Sequence, residues 1–193
     1  MIFIRFFNGA IGLNDVDILI NGELIVKGLK RGAFSEFRQG LAGAYFVEIR
    51  PAGISDTVIY TELFNVLEDT AYTIAIAGNA AHIALAMLPL SIKEDVKLPN
   101  IRFANAMGFD SIIDIIMHGH GVATGLMFKD ISENIGIDPG SHDVSVYDEN
   151  GQKLIENSVT IKPGINYLAI VAGQEGNAKN PPQIYLEENM PLL

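Results

Sequence analysis

Apolar and polar residues alternate along many short segments of the chain, which is the pattern of β-strands with one buried face. In the first half, the alternating segments are Ile4–Phe6, Val16–Ile20, Leu24–Val26, Tyr45–Ile49, Val58–Val66, Tyr72–Ile76 and His82–Leu88. Asn21-Gly22 predicts a two-residue hairpin turn, because both residues tolerate a positive φ. Short strands with frequent turns and little helical periodicity indicate an all-β fold. They favour an antiparallel β-sandwich, although the pattern alone leaves a small barrel open.

The first part of the chain is repeated in the second part. Ile4–Asn8 and Asp17–Gly22 recur as Ile101–Asn105 and Asp114–Gly119, each 97 positions later. Strands and turns then keep the same order, apart from two residues lost in the turn after Asp148. The repeat predicts two tandem domains with one fold, each large enough to bury its own core.

The repeat also sets the expected domain limits. We predict a first β-sandwich at residues 1–90, a linker at 91–100, and a second β-sandwich with a C-terminal tail at 101–193. Ala71–Leu90 carries no Asp, Glu, Lys or Arg and has the length of a membrane span. The equivalent part of the second copy is charged and contains two prolines, so we predict two buried strands joined at Gly78-Asn79 instead.

Composition narrows the possible partners. Hydrophobic residues make up 49% of the chain and charged residues 19%, as in folded globular proteins. The net charge of −10 argues against nucleic acid and anionic lipid as partners. The chain has no cysteine, which excludes disulfides and thiolate chemistry. Met1 leads directly into the first repeat, which leaves no room for a signal peptide and predicts a cytoplasmic protein as written.

Two arginine–aspartate pairs recur with the repeat. Arg5 and Asp17 stand 12 residues apart in the first copy, and Arg102 and Asp114 do so in the second. If their strands are neighbours, each pair forms a cross-strand ion pair that fixes the strand register. The alternative is that each aspartate is a ligand carboxylate. We favour the structural ion pairs.

His118-Gly119-His120, with Asp114 nearby, is the alternative metal site in this sequence. The first copy has Asn21-Gly22-Glu23 at the same place, so the residues are better explained as turn residues. The G-x-S-x-G elbow, the P-loop and the dinucleotide fingerprint are absent from the sequence. We therefore predict no enzyme activity, no metal and no cofactor.

Small apolar residues occupy the second face of several predicted strands. Alternation places them opposite the predicted core, where solvated strands usually carry polar side chains. These residues are Phe7, Ala75, Ala77, Ala84 and Ala86. Two explanations remain open and are compatible: the domains cover each other, or the face is a contact in a homo-oligomer.

The motifs IRFFN, VDILING, GAYFVEI and AYTIAIAG, with their second copies, resemble domain-of-unknown-function family 4397 of bacteria. The resemblance covers Ile4–Leu90 and Ile101–Leu186. It implies an immunoglobulin-like or transthyretin-like sandwich, a tandem arrangement, and a place on the cell surface or envelope. It implies no activity.

The sequence thus predicts a non-catalytic structural or interaction protein, a unit of a homo-oligomer or of a surface or envelope assembly. Its expected partner is itself or another surface protein, without nucleic acid or membrane insertion. The alternative is a module that binds a small ligand or a carbohydrate through loops at one end of a sandwich. The chain has no Trp, and the aromatic residues of those loops are Phe34, Phe37, Phe109 and Phe128.

Overall fold

The computed structural model describes residues 1–91 and 98–189, which fall into two compact units, one on each side of the gap. Most of the predicted linker and the end of the predicted tail lie outside the described residues. Each unit consists of two separate four-stranded sheets. The expected all-β fold with two sandwiches is therefore confirmed, and the barrel alternative is not what forms.

The first unit contains eight strands. They are β1 (Ile2–Asn8), β2 (Val16–Ile20), β3 (Glu23–Leu29), β4 (Arg38–Gly40), β5 (Gly43–Pro51), β6 (Tyr60–Val66), β7 (Thr70–Asn79) and β8 (His82–Ser91). One sheet has the order β4-β1-β7-β8 and the other has the order β3-β2-β5-β6. Successive strands thus change sheets repeatedly, and β1 and β2 lie in different sheets.

The second unit repeats this arrangement. Its strands are β9 (Asn100–Asn105), β10 (Ile112–Met117), β11 (His120–Met127), β12 (Ile135–Gly136), β13 (Gly140–Asp148), β14 (Lys153–Ile161), β15 (Tyr167–Ala172) and β16 (Gln183–Glu188). The sheets have the orders β12-β9-β15-β16 and β11-β10-β13-β14. These orders match those of the first unit strand for strand.

Both sandwiches are antiparallel except at one place. β1 pairs with β7 in parallel, from Phe3 opposite Ala71 to Asn8 opposite Ile76. β9 and β15 form the same parallel pair in the second unit. A parallel pair needs a long connection between its strands, and here the intervening strands supply it.

The core of each unit lies between its two sheets and is built from the alternating apolar residues. In the first unit, Phe6, Ile18, Ile49 and Ile74 are at most 1% exposed and belong to one cluster. In the second unit the corresponding cluster centres on Phe103, Ile115 and Val146, among others. Burying such side chains is the main favourable term in folding.

Left-handed turn residues join β2 to β3 and β10 to β11. Asn21 has φ 51° and Gly22 has φ 83°, while His118 has φ 50° and Gly119 has φ 79°. Positive φ at both central residues defines the hairpin turn that matches the twist of paired strands. The sequence-based expectation of a hairpin at Asn21-Gly22 agrees with this geometry.

The uncharged stretch at Ala71–Leu90 forms the β7–β8 hairpin. Gly78 and Asn79 pair with Ile83 and His82, so the turn lies two residues later than the sequence suggested, at residues 80–81. In the described residues, no helix is long and apolar enough to span a membrane.

A buried asparagine holds the first strand of each unit to the second sheet. Asn105 is fully buried, and its Nδ2 donates to the carbonyl oxygens of Leu126, at 2.9 Å, and Ser111, at 3.1 Å. Its Oδ1 accepts from the Met107 amide at 3.1 Å. Asn8 makes the equivalent bond to the Leu29 carbonyl. The amide satisfies backbone groups that the change of sheets leaves unpaired.

Candidate functional site

The shared position of the aspartates in the two copies has a structural explanation. Asp17 is 8% exposed; its Oδ1 accepts from the Gly28 amide at 2.7 Å and its Oδ2 from the Gly53 amide at 2.8 Å. In the second unit, Asp114 accepts from the Gly125 amide at 2.7 Å. Gly28 and Gly125 lie in β3 and β11, where the pairing with β2 and β10 shifts register, so each carboxylate binds the amide of a bulge residue on the neighbouring strand.

The expected ion pairs of Arg5 with Asp17 and of Arg102 with Asp114 are wrong, because each arginine lies on the other sheet from its aspartate. Arg5 is buried instead, and its Nε donates to Thr73 Oγ1 at 2.9 Å. Arg102 Nε donates to the Ser132 carbonyl at 2.8 Å.

The predicted interface residues lie on the outer face of the β4-β1-β7-β8 sheet. Phe7 is the register partner of Ala75, Ala75 of Ala86, and Ala77 of Ala84. All five are at most 3% exposed, and the Phe34 ring lies 4.6 Å from the Phe7 ring. They therefore offer no exposed surface in the folded chain, and their role as a contact between copies stays a prediction.

An exposed apolar patch occurs on the other sheet of the first unit. Phe46 and Leu63 are direct register partners, and Leu19 is the partner of Leu24. Phe46 is 41% exposed, Leu63 64% and Leu24 49%, whereas Leu19 is buried. We call the three exposed residues, together with the buried Leu19 of the strand between Leu24 and Phe46, the outer patch. Sequence reasoning missed it, although Phe46 and Leu63 alternate with the core residues of their strands.

The second unit has no such patch at the equivalent strand positions. The partners that correspond to Phe46 and Leu63 are Asp143 and Ser158, and Ser158 Oγ donates to Asp143 Oδ1 at 2.7 Å. Gly121 stands in place of Leu24. The two copies share a fold but differ in the surface of this sheet.

A cleft of about 260 Å³ lies at one end of the first sandwich, between the edges of its two sheets. Asn21, Glu23, Arg38 and Gln39 supply its polar lining, and Tyr45 adds an aromatic ring. Within the described residues, neither Glu23 nor Arg38 forms an ion pair. The lining of the cleft thus includes one anionic and one cationic side chain.

Gly40 shapes the same cleft. A Cβ atom at Gly40 would lie 2.5 Å from the Tyr45 hydroxyl, which leaves no room for a side chain. The hydroxyl in turn donates to the Leu41 carbonyl at 2.7 Å, so the phenol is held in place.

The three residues of the alternative metal site do not come together. Asp114 is bound to Gly125 at the edge of the sheet, while His118 and His120 lie at the β10–β11 turn. Among the residues that the structure describes, no group of three His, Cys, Asp or Glu side chains has metal-binding geometry. The structure instead places His118 against His142, with Nε2 and Nδ1 2.7 Å apart.

The aromatic residues of the predicted binding loops pack against neighbours. Phe109 and Phe128 have ring centroids 4.8 Å apart. The Arg5 guanidinium lies over the rings of Phe34 and Phe37, at 5.0 and 4.5 Å. Such contacts stabilise the loops and leave fewer ring faces for a sugar.

Three side chains with a shifted pKa are each hydrogen-bonded to a glutamate. Burial and the hydrogen bond to Glu62 raise the pKa of Tyr60. The bonds to Glu156 and Glu188 raise the pKa values of Lys153 and Lys162. For Lys153 and Lys162, the shifts thus reflect pairing with a neighbouring carboxylate.

No curated protein matches the chain. Among solved structures, the chain is similar to a carbohydrate-binding module of family CBM26 from Eubacterium rectale Amy13K, in complex with maltoheptaose. The identity is 8%, 95% of each chain is covered and the TM-score is 0.29. A likeness at that TM-score carries no argument about fold or function.

A family model gives the firmer assignment. The model described as Domain of unknown function (DUF4397) matches residues 2–100, just over half of the chain. The second unit repeats the strand orders of the first, which agrees with the expected tandem arrangement. The chain therefore belongs to the DUF4397 family.

Proposed function

We propose that this protein is a non-catalytic structural or interaction protein, a two-domain β-sandwich unit that assembles with further copies of itself. The outer patch is the observation that carries the proposal. Two large apolar side chains, Phe46 and Leu63, face solvent as direct cross-strand neighbours. Single exposed apolar residues are normal on a protein surface, whereas contiguous exposed apolar patches are typical of interaction sites.

Charge favours a second copy as the occupant of the outer patch. The chain carries a net charge of −10, so most surfaces of two copies repel each other. Beside the patch, Glu48 and Arg50 form an ion pair at 2.9 Å and cancel each other. The neighbouring side chains on the same face, Thr61 and Asn65, are uncharged. Two copies can meet here without like-charge repulsion.

The use of the polar groups supports a non-catalytic role. Asp17 and Asp114 bind backbone amides, and Arg5 is buried against Thr73 and two phenylalanine rings. A catalytic carboxylate or cation has to reach a substrate. These groups are instead committed to holding loops and strands.

Size-exclusion chromatography coupled to light scattering tests the proposal on the full-length chain. We expect a dimer or a larger assembly at high micromolar concentration. Phe46→Asp combined with Leu63→Ser should weaken self-association at least tenfold, because it places the polar pair of the second unit on the first. Since the second unit folds with Asp143 and Ser158 at these positions, the variant should keep its fold.

Leu41→Ser is the matched control, because Leu41 is 80% exposed but lies in a loop outside the outer patch. It should leave the molar mass unchanged. A monomeric wild-type protein, or an assembly that the double variant does not weaken, would exclude the proposed contact.

The cleft of the first unit favours a second candidate, a module that binds a small polar ligand. Arg38 and Glu23 line the cleft without an ion pair among the described residues, which suits a ligand with both an anionic and a cationic group or with several hydroxyls. Its volume of about 260 Å³ suits a molecule no larger than an amino acid or a monosaccharide.

A thermal-shift screen of amino acids and monosaccharides tests this candidate. A true ligand should raise the melting temperature in a saturable way, as mass action requires. Arg38→Gln should abolish the shift, whereas Lys30→Gln, an exposed lysine outside the cleft, should not. A screen without a saturable shift, or a shift that Arg38→Gln leaves intact, would remove the candidate.

A further inference from the structure

Two histidines of the second unit meet at the end of its sandwich. His118 is the first residue of the β10–β11 turn, and His142 lies on β13, the strand beside β10. His118 Nε2 and His142 Nδ1 are 2.7 Å apart. The rings stand at 70° to each other with centroids 5.0 Å apart, so the contact joins two nitrogens rather than two ring faces.

The other nitrogen of His142 fixes which atom is available for coordination. His142 Nε2 lies 2.7 Å from the Asp138 carbonyl oxygen. A carbonyl oxygen accepts and cannot donate, so Nε2 carries the proton and Nδ1 presents a lone pair toward His118. A histidine whose second nitrogen donates to a backbone carbonyl is oriented as metal-binding histidines usually are.

The first unit shows which part of this arrangement the fold needs. Tyr45 occupies the position of His142, and its hydroxyl donates to the carbonyl four residues earlier, at 2.7 Å. His142 Nε2 makes the same bond to Asp138. Asn21 occupies the turn position of His118. The sandwich therefore forms without either imidazole, and the paired nitrogens are a feature that the second unit adds.

We propose that His118 Nε2 and His142 Nδ1 bind one divalent transition-metal ion of the zinc, copper or nickel type. Imidazole nitrogens are preferred ligands of these ions, at about 2.0–2.1 Å. Two such bonds in tetrahedral geometry need a nitrogen–nitrogen distance of about 3.3 Å. The present 2.7 Å contact therefore has to open slightly, and His118, in an exposed turn, is placed to move.

The proton shared by the two histidines has a place to go when a metal ion replaces their hydrogen bond. In the hydrogen-bonded pair, the proton between the two nitrogens belongs to His118 Nε2, since His142 Nδ1 accepts it. When the ion binds, His118 changes tautomer: Nε2 loses its proton and Nδ1 takes one up, so the ring stays neutral and the ion takes both lone pairs. Water completes the coordination, because the described residues bring no third side chain into a metal-binding group. His120 is exposed, and among the described residues it does not join the pair in a group of three that could hold a metal ion.

Isothermal titration calorimetry with zinc chloride and nickel chloride tests the proposal on the full chain without a polyhistidine tag. We expect saturable binding of one ion per chain. His118→Asn and His142→Tyr should each weaken binding at least tenfold. These variants copy the residues of the first unit, so the fold has already accepted them at the equivalent positions.

Two further variants make the result specific. His82→Ala, in the first unit, should leave the affinity within about twofold, since a histidine outside the pair contributes no ligand. Asn21→His combined with Tyr45→His should raise the stoichiometry from one ion to two. Absence of saturable binding, or one-ion binding that survives both His118→Asn and His142→Tyr, would overturn the proposal.

Discussion

Asn105→Asp is expected to lower the free energy of unfolding of the second unit by roughly 3–5 kcal/mol. The change is isosteric, but it replaces an amide that donates to two carbonyl oxygens by a carboxylate that repels them. Asn105 is fully buried, so the carboxylate cannot be solvated in place. Hydrogen–deuterium exchange of peptides from β9 and β15, measured across a urea series, reports the change.

Asn65→Asp is the matched control for Asn105→Asp. Asn65 is exposed on the outer face of β6, so the same chemical change should alter stability by less than about 0.5 kcal/mol. If Asn105→Asp proved as mild as Asn65→Asp, the buried amide would not be holding β9 to the second sheet.

Gly173→Ala is expected to destabilise the second unit by roughly 2–4 kcal/mol. Gly173 has φ +122°, a conformation that residues with a side chain rarely adopt. A Cβ atom there would also lie 2.7 Å from the Pro181 carbonyl carbon and 2.7 Å from the Pro182 Cα. Backbone atoms cannot move aside as a flexible side chain can, so the strand end has to shift. Thermal denaturation followed by circular dichroism measures the loss.

Gly176→Ala separates the two causes of the Gly173→Ala effect. Gly176 also has a positive φ, +71°, but a Cβ atom added to it would have no neighbouring atom within 4 Å. Its substitution should cost about 1 kcal/mol, the strain of the conformation alone. Equal losses for the two variants would mean that the contact with Pro181 and Pro182 is not tight.

Local features of the fold could be predicted from the sequence because they depend on near neighbours. Alternation marked the strands, and Asn21-Gly22 marked a turn with positive φ at both residues. Because the sequence repeats, most of these patterns occur twice, once in each unit. The pairing of Arg5 with Asp17 failed because sequence spacing does not tell which sheet of a sandwich a strand joins. Consecutive strands β1 and β2 belong to opposite sheets.

The candidate sites depend on the register in which neighbouring strands pair, and this register cannot be read from the sequence. Phe46 and Leu63 become neighbours only when β5 pairs with β6 at one alignment. His118 and His142 are 24 residues apart and meet through the pairing of β10 with β13. A comparison of the two copies could have drawn attention to His142, because this histidine occupies the position of Tyr45 in the first copy. The sequence reasoning linked His118 to His120 and Asp114, which are closer in sequence but not in a common metal-binding group.

The parallel pairing of β1 with β7 also constrains how the protein is made. Arg5 and Thr73, bonded partners on these strands, are 68 residues apart. During synthesis, β1 leaves the ribosome before β7. It therefore lacks this parallel partner until β7 has been synthesised. Folds with such distant contacts form slowly and expose strand edges meanwhile. With β1 and β9 both in this position, each unit of the nascent chain passes through its own aggregation-prone interval.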